Sequence, residues 1–486
     1  MNYKLALKIL GYILLIEAGF MLIPLLISVF QAEAAAVRAF LVTIVITAAI
    51  GLPCSRLKPA KTAMQAREGF VIVGLAWVVL SVFGALPLYL SDAFPTYVDA
   101  LFEIVSGFTT TGSTVLSEIE SLSRGVLFWR SFSHWLGGMG VLVFLLSVVP
   151  LSGESIHLMR AESPGPSVEK FTPRLRTTAK RLYFIYIVLT LVQIVLLCLG
   201  GMPLFDSCVT AFGTAGTGGF AVKNASIAAY GSVYLETVIA IFMVLFGVNF
   251  SIYNLILLRR IRSVLKNEEL RVYLGVILVA IALIVWDTVG TVYANFGVAL
   301  RYAGFQVSSI ITTTGYTSAN YDLWPPLSRA ILLILMFVGA SAGSTGGGLK
   351  ISRIMILWKA MRRQFRSLVH PNSISVVKLD GERLDEPIVQ ATLNYFFVYV
   401  LIFTVSVTLI FVCGHDLATS FSSVAACLNN VGPGMGPLVG AVGNYGFMGA
   451  FEKIVLSFNM LVGRLEIYPM LLLFSPSLWK RRGKRG

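Results

Sequence analysis

Phe108-Thr109-Thr110-Thr111-Gly112-Ser113-Thr114 follows an apolar segment, residues 99–108, about half as long as a membrane crossing. The run recurs. Thr312-Thr313-Thr314-Gly315-Tyr316 repeats it closely and Thr214-Ala215-Gly216-Thr217-Gly218-Gly219-Phe220 repeats it loosely. Leu428-Asn429-Asn430-Val431-Gly432-Pro433-Gly434 stands in a fourth equivalent place. With Gly112, Gly218, Gly315 and Gly432 taken as equivalent, the spacings are 106, 97 and 117 residues. A period of that size predicts a pseudo-symmetric ring of repeats, since solenoid repeats are shorter.

The chain around these loops is 56% hydrophobic and 13% charged, with mean hydropathy +0.81. Soluble domains run at roughly 45–50% apolar and 25% charged, so the composition is that of an integral membrane protein. Two spans, 9–30 and 37–52, come first. No small-residue cleavage site follows the first, which reads as a retained helix and not a secretion signal. Then one pattern occurs four times: span, short helix, Thr/Gly loop, span. Its parts are 69–90, 99–108 and 128–149; 182–199, 205–212 and 235–258; 272–293, 298–311 and 326–357; and 392–413, 416–428 and 454–474. The expected fold is all-α, with about ten transmembrane helices and four re-entrant ones. It divides into 1–68, the helix pair and a cytoplasmic loop, and four pore repeats at 69–181, 182–271, 272–390 and 391–486, the last with a basic tail.

The net charge of +14 sits in alternate loops. Lys4 and Lys8 precede the first span, and Arg56, Lys58, Lys61 and Arg67 the third. Arg160, Lys170, Arg174, Arg176, Lys180 and Arg181 share one later loop; Arg259, Arg260, Arg262, Lys266 and Arg271 share the next. Lys359, Arg362, Arg363, Arg366, Lys378 and Arg383 fill another, and Lys480, Arg481, Arg482, Lys484 and Arg485 end the chain. By the positive-inside rule both termini are cytoplasmic, as an even number of spans requires. Basic residues so placed serve topology and lipid contact, which removes nucleic acid as a partner. Five scattered cysteines and four scattered histidines form no zinc spacing or catalytic cluster. The polar loops hold no paired carboxylates and no nucleophile with a base, so an enzyme is not expected.

Non-helical backbone at membrane depth must be buried in protein or line a water-filled path. Four such loops on one axis can replace a cation's hydration shell with backbone carbonyls, and glycine permits the conformations this requires. The candidate ion-binding residues are Thr110, Thr111 and Gly112; Thr217 and Gly218; Thr313, Thr314 and Gly315; and Asn430, Val431 and Gly432. None is acidic, which suits a weakly hydrated monovalent ion. Asp99, Asp206 and Asp416 lie near the starts of the short helices, where a carboxylate caps free amides and complements the dipole. Coupled symport with sodium or protons would call for an intramembrane carboxylate, for which Glu103, Asp206 and Asp287 are the candidates.

These features resemble the Trk/Ktr/HKT superfamily of cation transporters, most closely its bacterial TrkH-type potassium uptake subunits, over essentially the whole chain. Phe337-Val338-Gly339-Ala340-Ser341-Ala342-Gly343-Ser344-Thr345-Gly346-Gly347-Gly348-Leu349-Lys350 resembles the family's intramembrane loop, and Gly463-Arg464-Leu465-Glu466 its arginine motif. The helix pair before the first repeat is similar to TrkH-type members. The resemblance implies potassium uptake across the bacterial cytoplasmic membrane, with K+ as the transported ion and no cofactor held by this chain. It implies a homodimer with one pore per subunit, docked on a cytosolic nucleotide-binding ring of the TrkA type. The chain itself lacks the GK[ST] element of a phosphate loop.

Glycines in the last span of the third repeat should break its helix just below the filter. Gly343, Ser344, Thr345, Gly346, Gly347 and Gly348 therefore form a candidate gate, the alternative being close helix packing through small residues. Arg464, a charge deep in an apolar span, is expected to face the pore as a barrier, or else to pair with Glu466. Lys350 and Arg353 read as interfacial side chains. Because the second and fourth loops lack the triple threonine, the ring cannot be chemically four-fold, and its discrimination of potassium from sodium should be less sharp than that of a pure potassium channel.

Overall fold

The computed structural model describes residues 2–59, 66–140, 175–372 and 375–476. Lys61, Arg160, Lys170, Arg174, the basic tail from 480 to 485 and the inner part of the expected span 128–149 lie outside the described residues. Among the described residues, six helices are long and apolar enough to cross a membrane: Tyr3–Phe30, Ala34–Ser55, Glu68–Leu90, Ala179–Leu199, Glu268–Thr288 and Glu386–Val412. They are the leading pair and the first span of each repeat. The leading pair crosses where Gly11 and Gly51 face each other; a Cβ on either would stand 2.8 or 3.1 Å from the other's carbonyl oxygen. Small residues allow that approach.

The second spans of repeats 2 and 4 are broken where the sequence reads as continuous, and that of repeat 3 is broken in its glycine-rich stretch, as expected. None that is described is a continuous rod. The span expected at 235–258 is Val233–Phe246 and Phe250–Leu257, bent by 89°. Gly247 ends the first piece, and Asn249 starts the second by accepting from Ser251 N at 2.9 Å. The span expected at 326–357 stops at Val338 and resumes at Ile351. The span expected at 454–474 is Ala450–Arg464 and Tyr468–Leu473, broken where Glu466 (φ 59°) and Ile467 (φ 67°) enter the left-handed region. An L-residue with a branched side chain cannot continue a right-handed helix from there. In repeat 1 the helix Arg124–Gly138 ends at a pair of glycines.

The short helices are Tyr97–Phe108, Leu204–Gly216, Phe296–Ile311 and Leu417–Leu428. At 1.5 Å per residue they reach roughly 18–24 Å, short of the roughly 30 Å hydrocarbon. Thr96 caps the first and Asp416 the fourth, while Asp99 and Asp206 occupy first turns. Asp99 also pairs with Lys453 of repeat 4 at 2.6 Å, and Arg301 of the third short helix with Glu236 of repeat 2 at 2.6 Å. Each pair ties a short helix to the second span of the preceding repeat. The outer loops join in the same circular order. Asn224 Nδ2 donates to Glu118 at 2.9 Å, Ala228 N to Thr317 O at 3.3 Å, Gly436 N to Asp322 at 2.7 Å, and Tyr445 N to Thr114 O at 2.8 Å.

Candidate functional site

All four short helices end identically. Thr110, Thr217, Thr313 and Asn430 take left-handed φ values of 55°, 57°, 58° and 54°. The next amide reaches back five residues: Thr111 N to Ser106 O (2.8 Å), Gly218 N to Gly213 O (2.8 Å), Thr314 N to Ser309 O (2.8 Å) and Val431 N to Ala426 O (2.9 Å). This is the Schellman arrangement that satisfies a helix's last carbonyls. Two residues beyond the left-handed position comes a glycine, also at positive φ: Gly112 (83°), Gly219 (75°), Gly315 (81°) and Gly432 (97°). The equivalent glycine of repeat 2 is therefore Gly219, and Gly218 matches Thr111, Thr314 and Val431. The second short helix runs to Gly216, four residues past the expected end at 212, which moves the register.

These glycines close a ring. A Cβ on Gly112 would overlap Gly218 O, one on Gly219 would overlap Thr314 O, one on Gly315 would overlap Val431 O, and one on Gly432 would overlap Thr111 O. The chain of contacts passes through repeats 1, 2, 3 and 4 and returns to 1. Positive φ disfavours a side chain here, and the neighbouring carbonyl excludes one. The following residue keys into the preceding repeat: Ser113 Oγ donates to Gly432 O at 3.0 Å, and Tyr316 OH to Thr210 O at 3.0 Å. The ring floors an outer cavity of ≈ 120 Å³ lined from all four repeats, by Gly112, Gly219, Gly315 and Gly432 among others.

The ring is not four-fold in chemistry. Hydroxyl pairs brace loops 1 and 3, Thr109 to Thr111 at 2.7 Å and Thr312 to Thr314 at 2.8 Å. Loops 2 and 4 have Gly216 with Gly218 and Asn429 with Val431 in those places. Asn430 Nδ2 instead donates to Thr111 Oγ1 and to Met460 O, both at 2.9 Å.

Behind loop 2 stands His134, one of the four histidines scattered along the sequence. Its Nδ1 lies 2.7 Å from Gly107 O, and its Nε2 accepts from Phe220 N at 3.3 Å. That network assigns the neutral tautomer with hydrogen on Nδ1. Arg130 lies 4.2 Å from the Phe220 ring centroid and is ion-paired with buried Glu103, which also accepts from Thr114 Oγ1 and Val115 N. His134→Leu leaves the buried Phe220 amide unpaired, at about 1–3 kcal/mol, and leaves Gly107 O with the Thr110 amide at 3.1 Å as its donor. We expect lower thermal stability and weaker ion discrimination in that variant. His134→Gln, which can both donate and accept, is expected to retain both; thermal unfolding in detergent and paired rubidium and sodium fluxes check this.

Residues 339–350 lie directly beneath the ring. Gly347 N donates to Thr313 Oγ1 at 2.6 Å, and a Cβ on Gly347 would stand 2.9 Å from that of Asn430. Ser341 N donates to Gly247 O at 3.1 Å, at the bend of repeat 2. Arg464 crosses under the loop, donating to Thr345 O (2.6 Å), Gly137 O (2.5 Å) and Gly138 O (2.9 Å). It thus fastens repeat 3's loop to the end of repeat 1's helix.

Glu466 does not pair with Arg464. It pairs with Arg353, whose guanidinium also lies 3.9 Å from the Tyr395 ring centroid. Nor are Lys350 and Arg353 interfacial. Both are buried, and Lys350 Nζ donates to Gly346 O. The break at residues 339–350 places both within the protein, which a straight-helix reading could not show. Glu466→Gln strands the Arg353 charge and is expected to cost about 3–5 kcal/mol of stability, read by thermal unfolding. The carboxylates considered for coupling are engaged structurally: Glu103 as above, Asp206 by Tyr230 OH at 2.7 Å, and Asp287 by Ser328 N and Oγ at 3.0 and 2.6 Å.

Four pseudo-symmetric repeats, each sending a short helix and a Schellman-capped loop to one central ring, define an all-α, multi-pass membrane protein built around a single path. The chain belongs to the TrkH family of cation transport proteins, whose family model matches residues 32–481. It is 38% identical over 492 residues to the Trk system potassium uptake protein TrkH of Salmonella typhimurium, covering 99% of this chain and 100% of that protein. The TrkH protein of Halomonas elongata is 35% identical over 491 residues, with 99% and 100% coverage. The crystal structure of the potassium transporter TrkH from Vibrio parahaemolyticus superposes with TM-score 0.87 at 32% identity, over 99% of this chain and 100% of that one.

Proposed function

We propose that this protein takes up potassium across the cytoplasmic membrane, and that the four-loop ring is its selectivity filter. The observation that carries this reading is the closed circuit of Gly112, Gly219, Gly315 and Gly432, each abutting the next repeat's carbonyl. It holds Thr111, Gly218, Thr314 and Val431 carbonyls in one layer, a donor set suited to a dehydrated monovalent cation. Thr110, Thr217, Thr313 and Asn430 form the layer beneath. The relatives described above are named as potassium uptake proteins, which favours potassium over sodium.

Residues 343–348 and Arg464 serve as the gate in this reading. The loop fills the space under Thr313 and Asn430, and Arg464 holds it there by one hydrogen bond to Thr345 O, itself anchored by two to Gly137 O and Gly138 O of repeat 1. A cation at that height also repels the ion. The functional unit is a homodimer with a pore in each subunit, docked on a cytosolic nucleotide-binding ring, with both termini cytoplasmic. Repeats bounded at 69–181, 182–271, 272–390 and 391–486 are its pore-forming units. The test is flux through purified protein in liposomes. Rubidium and potassium should pass in preference to sodium; equal flux of all three would overturn the potassium assignment.

A further inference from the structure

Glu17 sits at the midpoint of Tyr3–Phe30, roughly 20 Å of helix from either end. It is 2% exposed, and neither carboxyl oxygen has a hydrogen-bond partner. It borders a cavity of ≈ 10 Å³ lined by Ile13, Phe20, Leu80, Phe108, Trp135 and Tyr183, about the room one water needs. The absence of a side chain at Gly84 makes part of that space: a Cβ there would lie 2.9 Å from Glu17 Oε1 and 2.8 Å from Phe108. Phe108 is the last residue of the first short helix, directly before Thr109.

Among the described residues, the groups facing Glu17 supply no counter-charge. From the first span of repeat 2 comes Tyr183, whose OH donates to Gly140 O at 2.9 Å; from the start of the first short helix comes Tyr97, which donates to Val82 O at 2.8 Å. The spans 68–90 and 124–138 contribute only Leu80, Trp135 and Leu136, and the helix Ala34–Ser55 contributes no lining residue. A carboxylate without partners costs several kcal/mol in such a place, whereas a neutral carboxyl is tolerated. A leucine would fill the pocket at no such cost. What the carboxyl adds is the ability to pass a proton to a water beside it and to regain it.

We infer that Glu17 is a proton-binding site that sets ion flux through the first repeat. With the proton bound, the neutral side chain packs beside Phe108 and the first loop is held in register. When the carboxyl gives its proton to water, an uncompensated charge lies against the base of that short helix and loosens it. Flux therefore falls as pH rises. This rests on the uptake reading for its flux measurement, while the site itself is read independently by infrared spectroscopy.

The experiment uses the full-length protein in liposomes of neutral lipid, with wild type, Glu17→Gln and Glu17→Leu compared from mildly acidic to alkaline pH. Rubidium flux in wild type is expected to fall several-fold toward alkaline pH, and to stay level in both variants. A carbonyl band of a neutral carboxyl should be present in wild type and missing from both. Glu17→Leu keeps the pocket filled if the glutamine amide impairs folding. Parallel pH profiles in wild type and variants, or no band removed by the substitutions, would overturn the inference. Absence of rubidium flux in wild type at any pH would instead overturn the uptake reading, leaving the band to decide for or against the proton site.

Discussion

Gly315→Ser is expected to collapse the preference for potassium over sodium. Gly315 has φ 81°, and a Cβ there would overlap Val431 O and stand 2.7 Å from Pro433 Cδ. The left-handed conformation costs a substituted L-residue roughly 1–2 kcal/mol. The overlap is worse, because its partner is backbone and cannot rotate away. Val431 O must move, and with it one of the carbonyls that replaces the ion's water. Losing about 1.4 kcal/mol of differential binding already removes a ten-fold preference. The sodium-to-rubidium flux ratio in liposomes is the readout, and unchanged selectivity would count heavily against the ring. Gly219→Ala should act alike, through Thr314 O.

Arg464→Ala is expected to raise basal flux about ten-fold or more. The side chain gives three hydrogen bonds to carbonyls, on Thr345 of the intramembrane loop and on Gly137 and Gly138 of repeat 1. Hydrogen bonds from a charged group contribute about 1.5–3 kcal/mol each. Even half of one such bond, biasing the closed arrangement, changes the open population several-fold. Arg464→Lys keeps the charge but loses the planar fork that spans two strands of backbone, so it should fall between. Flux measured without nucleotide or cytosolic partner reads this directly. A silent variant that remains folded would reduce Arg464 to a structural tie.

Much of this was legible in the chain because the repeats report on one another. Thr109–Gly112 and Thr312–Gly315 carry nearly the same letters, and their loops superpose in φ and in hydrogen bonding. Repeat 2 misled by one residue. Its two consecutive glycines, Gly218 and Gly219, are indistinguishable in sequence, and only the left-handed turn at Thr217 shows which one faces the next carbonyl. The tertiary pairings were not legible. Glu466 stands two residues from Arg464, and proximity in sequence suggested a pair, but the backbone reverses at Glu466 and Ile467 and sends the carboxylate to Arg353. Residues two apart on a helix do not face each other, a signal that could have warned against it.

Two buried polar residues stand out less in the sequence than in the structure. Glu17 is an acidic residue at the centre of an apolar run, and His134 lies three residues before a Gly-Gly pair in the second span of repeat 1. Apolar composition hid Glu17, because a hydropathy window averages away one polar residue in twenty, and His134 was hidden because its partners lie 27 and 86 residues away. What the window cannot convey is whether such a residue finds partners: His134 bridges two repeats, while Glu17 has none.

In the proposed filter, one layer of carbonyls from four repeats binds the transported ion. Anomalous diffraction from crystals grown in rubidium tests it most directly. A rubidium peak is expected on the pseudo-symmetry axis within coordination distance of the carbonyls of Thr111, Gly218, Thr314 and Val431, reduced when sodium replaces rubidium. A strong peak elsewhere along the path with nothing at this layer, or equal occupancy by either ion, would contradict it.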